Sequence, residues 1–114
     1  MENQKFINHM PMGEVFKMAE QIDYEENKVA SITLVKQSNL IVTLFSLYEG
    51  EEIGGHSSTG DAMVYILDGV AEITIGEDVH TVSKGEHIIM PANIRHALKA
   101  AKSFKMLLTV VKPS

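Results

Sequence analysis

Apolar and polar residues alternate in short runs along most of this chain, and most runs end at glycine, proline, asparagine or aspartate. Period-two alternation between such turn signals is typical of half-buried β-strands. The pattern predicts strands at residues 29–36, 40–48, 62–67, 70–75, 79–82, 87–90, 96–100 and 104–111. No helical pattern separates them, so parallel βαβ units are not expected. The sequence therefore predicts an all-β sandwich or barrel.

The most informative stretch lies between residues 50 and 75. A glycine-rich loop ends at His56, a polar run carries Asp61, and an apolar run then stops at Asp68 and Gly69. An Asp-Gly pair between two apolar runs is a strong hairpin signal, because both central positions of a type I′ turn need positive φ. We therefore expect a buried hairpin at this pair, with the loop histidine at the mouth or inner wall of the sheet.

The N-terminal third is less regular than the remainder. Within residues 13–22, apolar side chains at positions 15, 18, 19 and 22 have helical spacing, which predicts a short helix, although an extended segment fits as well. We expect one domain, in which residues 1–39 form an arm, this helix and the first strands. Residues 40–112 would form the barrel core.

Composition narrows the classes of function. The chain has 114 residues, no cysteine and a net charge of −5. The missing cysteines exclude disulfides and thiolate chemistry and fit a reducing compartment. The negative charge argues against a nucleic-acid partner, and no apolar run approaches the length of a membrane span. With no signal-peptide pattern at its start, we expect a soluble, cytoplasmic protein without a membrane partner.

Two segments share the order glycine, strand, turn and histidine. The residues at matching offsets are Gly50, His56 and Gly69 in the first segment and Gly85, Pro91 and His96 in the second. These residues and their spacing resemble the two signature motifs of the cupin superfamily, most closely its short, single-domain bacterial members. The resemblance covers roughly residues 40–111. It implies a small jelly-roll β-barrel and, as the default, a homodimer.

The departures from the motifs bear on function. In the family, three histidines and a glutamate bind one metal ion, but here Ser58 and Ala62 stand at the second histidine and glutamate positions. His56 and His96 remain as candidate metal ligands. Two imidazoles make a weak site, because first-row metals normally take at least three protein ligands. The resemblance allows a divalent metal (Fe, Mn, Ni or Zn), although none is certain.

A third ligand is hard to place. Asp61 would complete a set of two histidines and one carboxylate, but strand alternation turns it away from positions 56, 58 and 62 unless a bulge shifts the register. His80 and His87 are alternatives. Equally, His56 and His96 could be hydrogen-bonded residues lining the barrel mouth, with Asp61 capping a turn.

Three interpretations of function stay open, and no catalytic residue can be named. The first is a small-molecule binding module whose predicted pocket residues are His56, Ser58, Ala62, Val64 and His96. The second is a metal-dependent cupin enzyme of the dioxygenase, isomerase or decarboxylase type, with a reduced ligand set. The third is a non-catalytic dimeric scaffold or sensor. The resemblance permits all three, since one fold hosts many activities.

Overall fold

The computed structural model describes residues 5–113, with the exception of the His56 side chain. These residues form nine strands and a single turn of 3-10 helix at Met18–Gln21. The strands are β1 (Val29–Lys36), β2 (Leu40–Leu47), β3 (Glu52–His56), β4 (Asp61–Asp68), β5 (Val70–Ile75), β6 (Asp78–Ser83), β7 (His87–Met90), β8 (His96–Ala100) and β9 (Phe104–Val111).

The strands make two antiparallel sheets that face each other. Sheet A has the order β1-β2-β9-β4-β7, and sheet B has the order β3-β8-β5-β6. Successive strands often lie in different sheets, as β4 and β5 do, which is the connectivity of a jelly roll. The all-β jelly-roll barrel expected from the sequence is confirmed.

The core fills the space between the two sheets. Along β4, alternate side chains are buried at Ala62, Val64 and Ile66, while Asp61 and Met63 are exposed. This alternation follows from the pleat of the strand, which sends neighbouring side chains to opposite faces. The same rule brings the inward residues of both sheets into one apolar cluster, whose fully buried members include Leu47, Ile73, Met90, Phe104 and Met106.

A second apolar cluster lies on the outer face of sheet A, beneath the N-terminal segment. Met10 and Ile22 pack there against Leu34, Val35 and Leu44. The expected helix at residues 13–22 is reduced to the one 3-10 turn, because the apolar side chains of this segment follow the surface of the sheet in an extended path. Its own backbone hydrogen bonds are few, so packing against the sheet stabilises it.

Long-range hydrogen bonds fasten the N-terminal segment to the sheet. The Asn8 N–H donates to Leu34 O at 2.8 Å. The Ser46 hydroxyl donates to Asp23 O at 2.9 Å. Lys105 Nζ donates to Ala19 O at 2.6 Å. Lys105 on β9 therefore joins the N-terminal segment to sheet A.

The expected hairpin at the Asp-Gly pair is also wrong. β4 pairs with β7 and β9, whereas β5 pairs with β6 and β8, so the chain crosses from one sheet to the other at Gly69. Gly69 does have a positive φ of 79°. A Cβ atom there would lie 1.9 Å from Ser103 O, so the position needs glycine for close approach as well as for its dihedral angle. The hairpin in this region joins β5 and β6 instead, where Ile75 pairs with Asp78.

The glycine-rich loop before His56 proves to be strand β3. Gly54 pairs with Ala97 on β8, and the register shifts between Gly54 and His56. A Cβ atom on Gly54 would lie 2.5 Å from the Ala97 Cβ atom. Glycine inside a strand often marks such a close approach or a bulge, and both are present here.

Within residues 5–113, no helix is long and apolar enough to cross a membrane.

Candidate functional site

A pocket of about 290 Å³ opens between the two sheets. Nine of its twelve lining residues are apolar, and they come from both sheets; Ile41, Phe45, Met90, Leu108 and Val110 are among them. The polar lining residues are Ser58, His96 and Lys112. A mostly apolar hollow with a few polar groups is the usual form of a small-molecule site.

The mouth of the pocket is built by two loops that are fastened to each other. The Asn93 N–H in the β7–β8 loop donates to Ser58 O in the β3–β4 loop at 2.7 Å. The Ala92 N–H donates to Asp61 Oδ1 at 2.8 Å. Ser58 Oγ accepts the N–H of Gly60 at 3.1 Å, which closes a local turn. These bonds hold the Ser58 side of the pocket in place.

His96 begins strand β8 and is 5% exposed. Its backbone pairs with His56 on β3 and with Ile75 on β5. Its Nδ1 atom lies 3.3 Å from Ile94 O. A carbonyl oxygen can only accept a hydrogen bond, so Nδ1 is the donor in this contact.

Comparison with known proteins agrees with this architecture. Residues 43–112 match the family described as "Cupin domain". The chain belongs to the cupin family. No functionally curated protein matches the sequence significantly.

Solved structures of other cupins are similar to this one. A conserved protein of unknown function from Streptococcus pyogenes is 46% identical over 99% of both chains, with a TM-score of 0.96. A cupin superfamily protein from Desulfitobacterium hafniense is 27% identical, covering 94% of this cupin and 98% of that chain, with a TM-score of 0.90. A cupin 2 conserved barrel domain protein from Leptotrichia buccalis is 42% identical over 85% of this cupin and 47% of that chain, with a TM-score of 0.83.

The predicted pocket residues of this cupin occupy different places. Ser58, Ala62 and His96 line the pocket. Val64 is fully buried in the core cluster and does not belong to the pocket lining. His56 has its backbone beside His96, and its side chain lies outside the described part of the structure.

The candidate third metal ligands point away from the pocket. The Asp61 carboxylate is exposed and accepts the hydrogen bond from Ala92. His87 is exposed, and its ring stacks on Tyr65 with 4.2 Å between the ring centroids. His80 is exposed on the edge strand β6.

The described side chains do not by themselves complete a metal centre. Across residues 5–113, without the His56 side chain, no three His, Cys, Asp or Glu side chains are grouped to hold a metal ion. The divalent metal stays a prediction that elemental analysis tests.

A second, wider groove of about 670 Å³ lies on the outer face of sheet B. Glu52, Glu72, Arg95 and Lys99 line it with exposed side chains, and Lys99 Nζ is 3.9 Å from Glu52 Oε1. Its charged groups are of both signs and open to solvent, where such pairs contribute little energy. The smaller pocket between the sheets is the better candidate site.

Lys112 is the polar pocket residue that sequence reasoning missed. It follows the last residue of β9, and a lysine after a strand carries no signal of its own. The pairing of β9 between β2 and β4 brings it to the pocket. Only the sheet order, which local patterns do not reveal, could have found it.

Proposed function

We propose that this cupin binds a small organic molecule in the pocket between its sheets. The observation that carries the proposal is the pocket itself, a hollow of about 290 Å³ with apolar walls and three polar side chains. An engineered apolar cavity of roughly 150 Å³ takes up benzene in another protein. The volume here therefore suits a ring with a polar substituent or an aliphatic chain of similar size.

The small side chain of Ala62 supports this proposal. Ala62 lies between Met90 on β7 and Val110 on β9, and all three line the pocket. A short side chain between two longer ones leaves space at the centre of the wall. Ala62 and Ser58 also stand where the family motif has metal ligands, so the volume vacated by an imidazole and a carboxylate is available to a ligand. We assign no reaction to the pocket.

A pocket-filling substitution tests the proposal. Ala62→Leu adds three carbon atoms to the wall, and Met63→Leu is the matched control because Met63 is 41% exposed on the opposite face of the same strand. We expect a fragment library, screened by ligand-observed NMR, to yield binders with wild-type protein and with Met63→Leu. The same binders should be lost with Ala62→Leu. Binders that persist in Ala62→Leu, or a library without binders, would contradict the proposal.

We further propose that the protein is a homodimer joined through the outer face of sheet A. Met63 pairs with Ile89 across β4 and β7, and Val111 pairs with Asp61 at the end of the same face. Met63, Ile89 and Val111 are 41%, 57% and 56% exposed. A second copy suits this patch, because a two-fold axis brings the same apolar surface from each subunit together.

Light scattering after size-exclusion chromatography tests the dimer. The chain mass is 12.6 kDa, so the dimer should have a mass of about twice that value. Ile89→Glu should yield the monomer, because a charge would be buried without a partner. The control is Val79→Glu, since Val79 is 60% exposed on sheet B. A monomeric wild type, or a dimer that tolerates Ile89→Glu, would refute the interface.

The absence of cysteine supports a cytoplasmic location within the same proposal.

A further inference from the structure

The polar side of the pocket carries a positive charge. Lys112 is half-buried and is one of the residues that line the pocket. Among residues 5–113, the one ion pair joins Lys99 to Glu52 on the outer face of sheet B. No carboxylate of those residues lies within ion-pair distance of Lys112. An ammonium group on an apolar wall needs hydrogen-bond acceptors, which a ligand can supply.

Gly60 brings Lys112 close to Ser58. A Cβ atom on Gly60 would lie 2.3 Å from Val111 O and 2.9 Å from the Cγ atom of Lys112, so the lysine stem passes directly over the glycine backbone. The Lys112 N–H also donates to Asn39 O at 2.9 Å, which fixes the backbone from which the stem begins. Because Ser58 Oγ accepts the Gly60 N–H, the serine and the lysine contact the same residue.

The two groups together offer complementary donors. The Ser58 oxygen is occupied as an acceptor of the Gly60 N–H, so its own hydrogen can be donated to another partner. The Lys112 ammonium carries three N–H donors and a full charge. Both residues line the pocket, so a hydroxyl and an ammonium are available to the two oxygens of one carboxylate, and charged hydrogen bonds of this kind are stronger than neutral ones.

We propose that the ligand of this pocket is a monocarboxylate with an apolar body, and that Lys112 is the residue that selects its negative charge. This inference rests on the proposed binding function and adds the chemical class of the ligand. The apolar body, about the size of a benzene ring with a short chain, fills the hollow beside Ala62. The carboxylate lies at Ser58 and Lys112.

Three isosteric probes test the charge requirement. They are 3-phenylpropionate, 3-phenylpropanamide and 3-phenylpropanol, titrated by isothermal calorimetry or by NMR. Wild-type protein should bind the acid at least tenfold more tightly than either neutral probe, the scale expected for a hydrogen bond to a charged group. Lys112→Met, which keeps the apolar stem, should weaken the acid at least tenfold and the neutral probes far less, since a neutral oxygen accepts a weaker hydrogen bond. Lys112→Arg should retain most of the affinity for the acid.

The controls separate this inference from the proposed function. Lys99→Met removes a lysine on the outer face of sheet B and should leave binding of the acid unchanged. Equal binding of acid and amide, lost in Ala62→Leu but not in Lys112→Met, would overturn the carboxylate inference and keep the pocket as the binding site. Binding that survives Ala62→Leu, or no binding of any probe at millimolar concentration, would overturn both.

Discussion

Gly69 provides the sharpest test of the crossing between the two sheets. Its φ is 79°, and a Cβ atom there would lie 1.9 Å from Ser103 O and 2.8 Å from the Phe104 Cα atom. Gly50 offers a matched control, since its φ is 90° and a Cβ atom would meet nothing within 4 Å. Replacing either glycine by alanine therefore imposes the same left-handed strain. Only the replacement of Gly69 adds a steric clash.

The expected losses in free energy of unfolding differ accordingly. Left-handed backbone costs an L-residue about 1–2 kcal/mol, which is the whole loss expected for Gly50→Ala. Overpacking against backbone adds about 1–3 kcal/mol, so Gly69→Ala should lose about 2–5 kcal/mol. That is a large share of the roughly 5–15 kcal/mol by which a domain is stable. The corresponding fall in Tm is about 4 °C for each kcal/mol.

Urea denaturation followed by circular dichroism measures these losses. A third variant, Gly69→Asn, distinguishes a hairpin turn at this position from a crossing between the two sheets. Asparagine tolerates left-handed dihedral angles, so it would be nearly neutral in a free hairpin turn. At a crossing with Ser103 against the backbone, its Cβ atom clashes as that of alanine does. A close approach of Ser103 to Gly69 would be ruled out if Gly69→Asn stayed within about 0.5 kcal/mol of wild type, or if Gly69→Ala lost no more stability than Gly50→Ala.

Further predictions concern titration, loop fastening and metal content. Burial, followed by the hydrogen bond to Asp68 and the charge of that carboxylate, raises the pKa of Tyr24 well above its usual range. The free energy of unfolding should therefore fall as pH rises above about 10, where tyrosine ionises in the unfolded chain. Unfolding measured across alkaline pH should show a shallower fall for Tyr24→Phe than for wild type, but not for the control Tyr48→Phe. Asp61→Ala removes the acceptor of the Ala92 N–H. This change should lower the free energy of unfolding, measured by urea titration, by about 0.5–1.5 kcal/mol. An unchanged midpoint would show that this hydrogen bond does not fasten the loops. Plasma mass spectrometry of untagged protein, after loading with Fe(II), Mn(II), Ni(II) or Zn(II), should find well below one equivalent. The reason is that Ser58 and Ala62 leave only two of the family's four ligand positions occupied by ligands. One equivalent would restore the enzyme interpretation.

Local patterns predicted the strands well and their sheet partners poorly. The bounds of β1, β5, β7, β8 and β9 agree with the predicted ranges, because each is an apolar run ended by a turn signal. At Asp68 and Gly69 the same signals misled. A positive φ is required both in a type I′ turn and at the crossing, and the deciding neighbour, Ser103, lies far along the chain. β3 was missed because Gly54 and Gly55 have no β propensity, although Gly54 is required by its contact with Ala97.

At the candidate site, too, local motifs predicted some residues, while others depend on how the strands pair. The motif offsets led to Ser58, Ala62 and His96, which the jelly-roll places around one pocket. Lys112 belongs to no motif, since it arrives there through the pairing of β9. Val64, which was also predicted to line the pocket, is fully buried in the core cluster. Alternation correctly put it on the same face as Ala62, but how far the pocket extends along that face depends on the side chains opposite.

The space beside Ala62 links the stability of this barrel to its proposed function. A leucine there would bury up to three more carbon atoms, at about 0.8 kcal/mol each, so Ala62→Leu should be neutral or stabilising if the hollow accepts it. An alanine that forgoes this stabilisation is expected where a ligand needs the space, since activity and stability commonly oppose each other at binding sites. A variant that gains stability and loses 3-phenylpropionate would assign the hollow to binding. A variant that loses stability would mean that Met90 and Val110 already fill the wall.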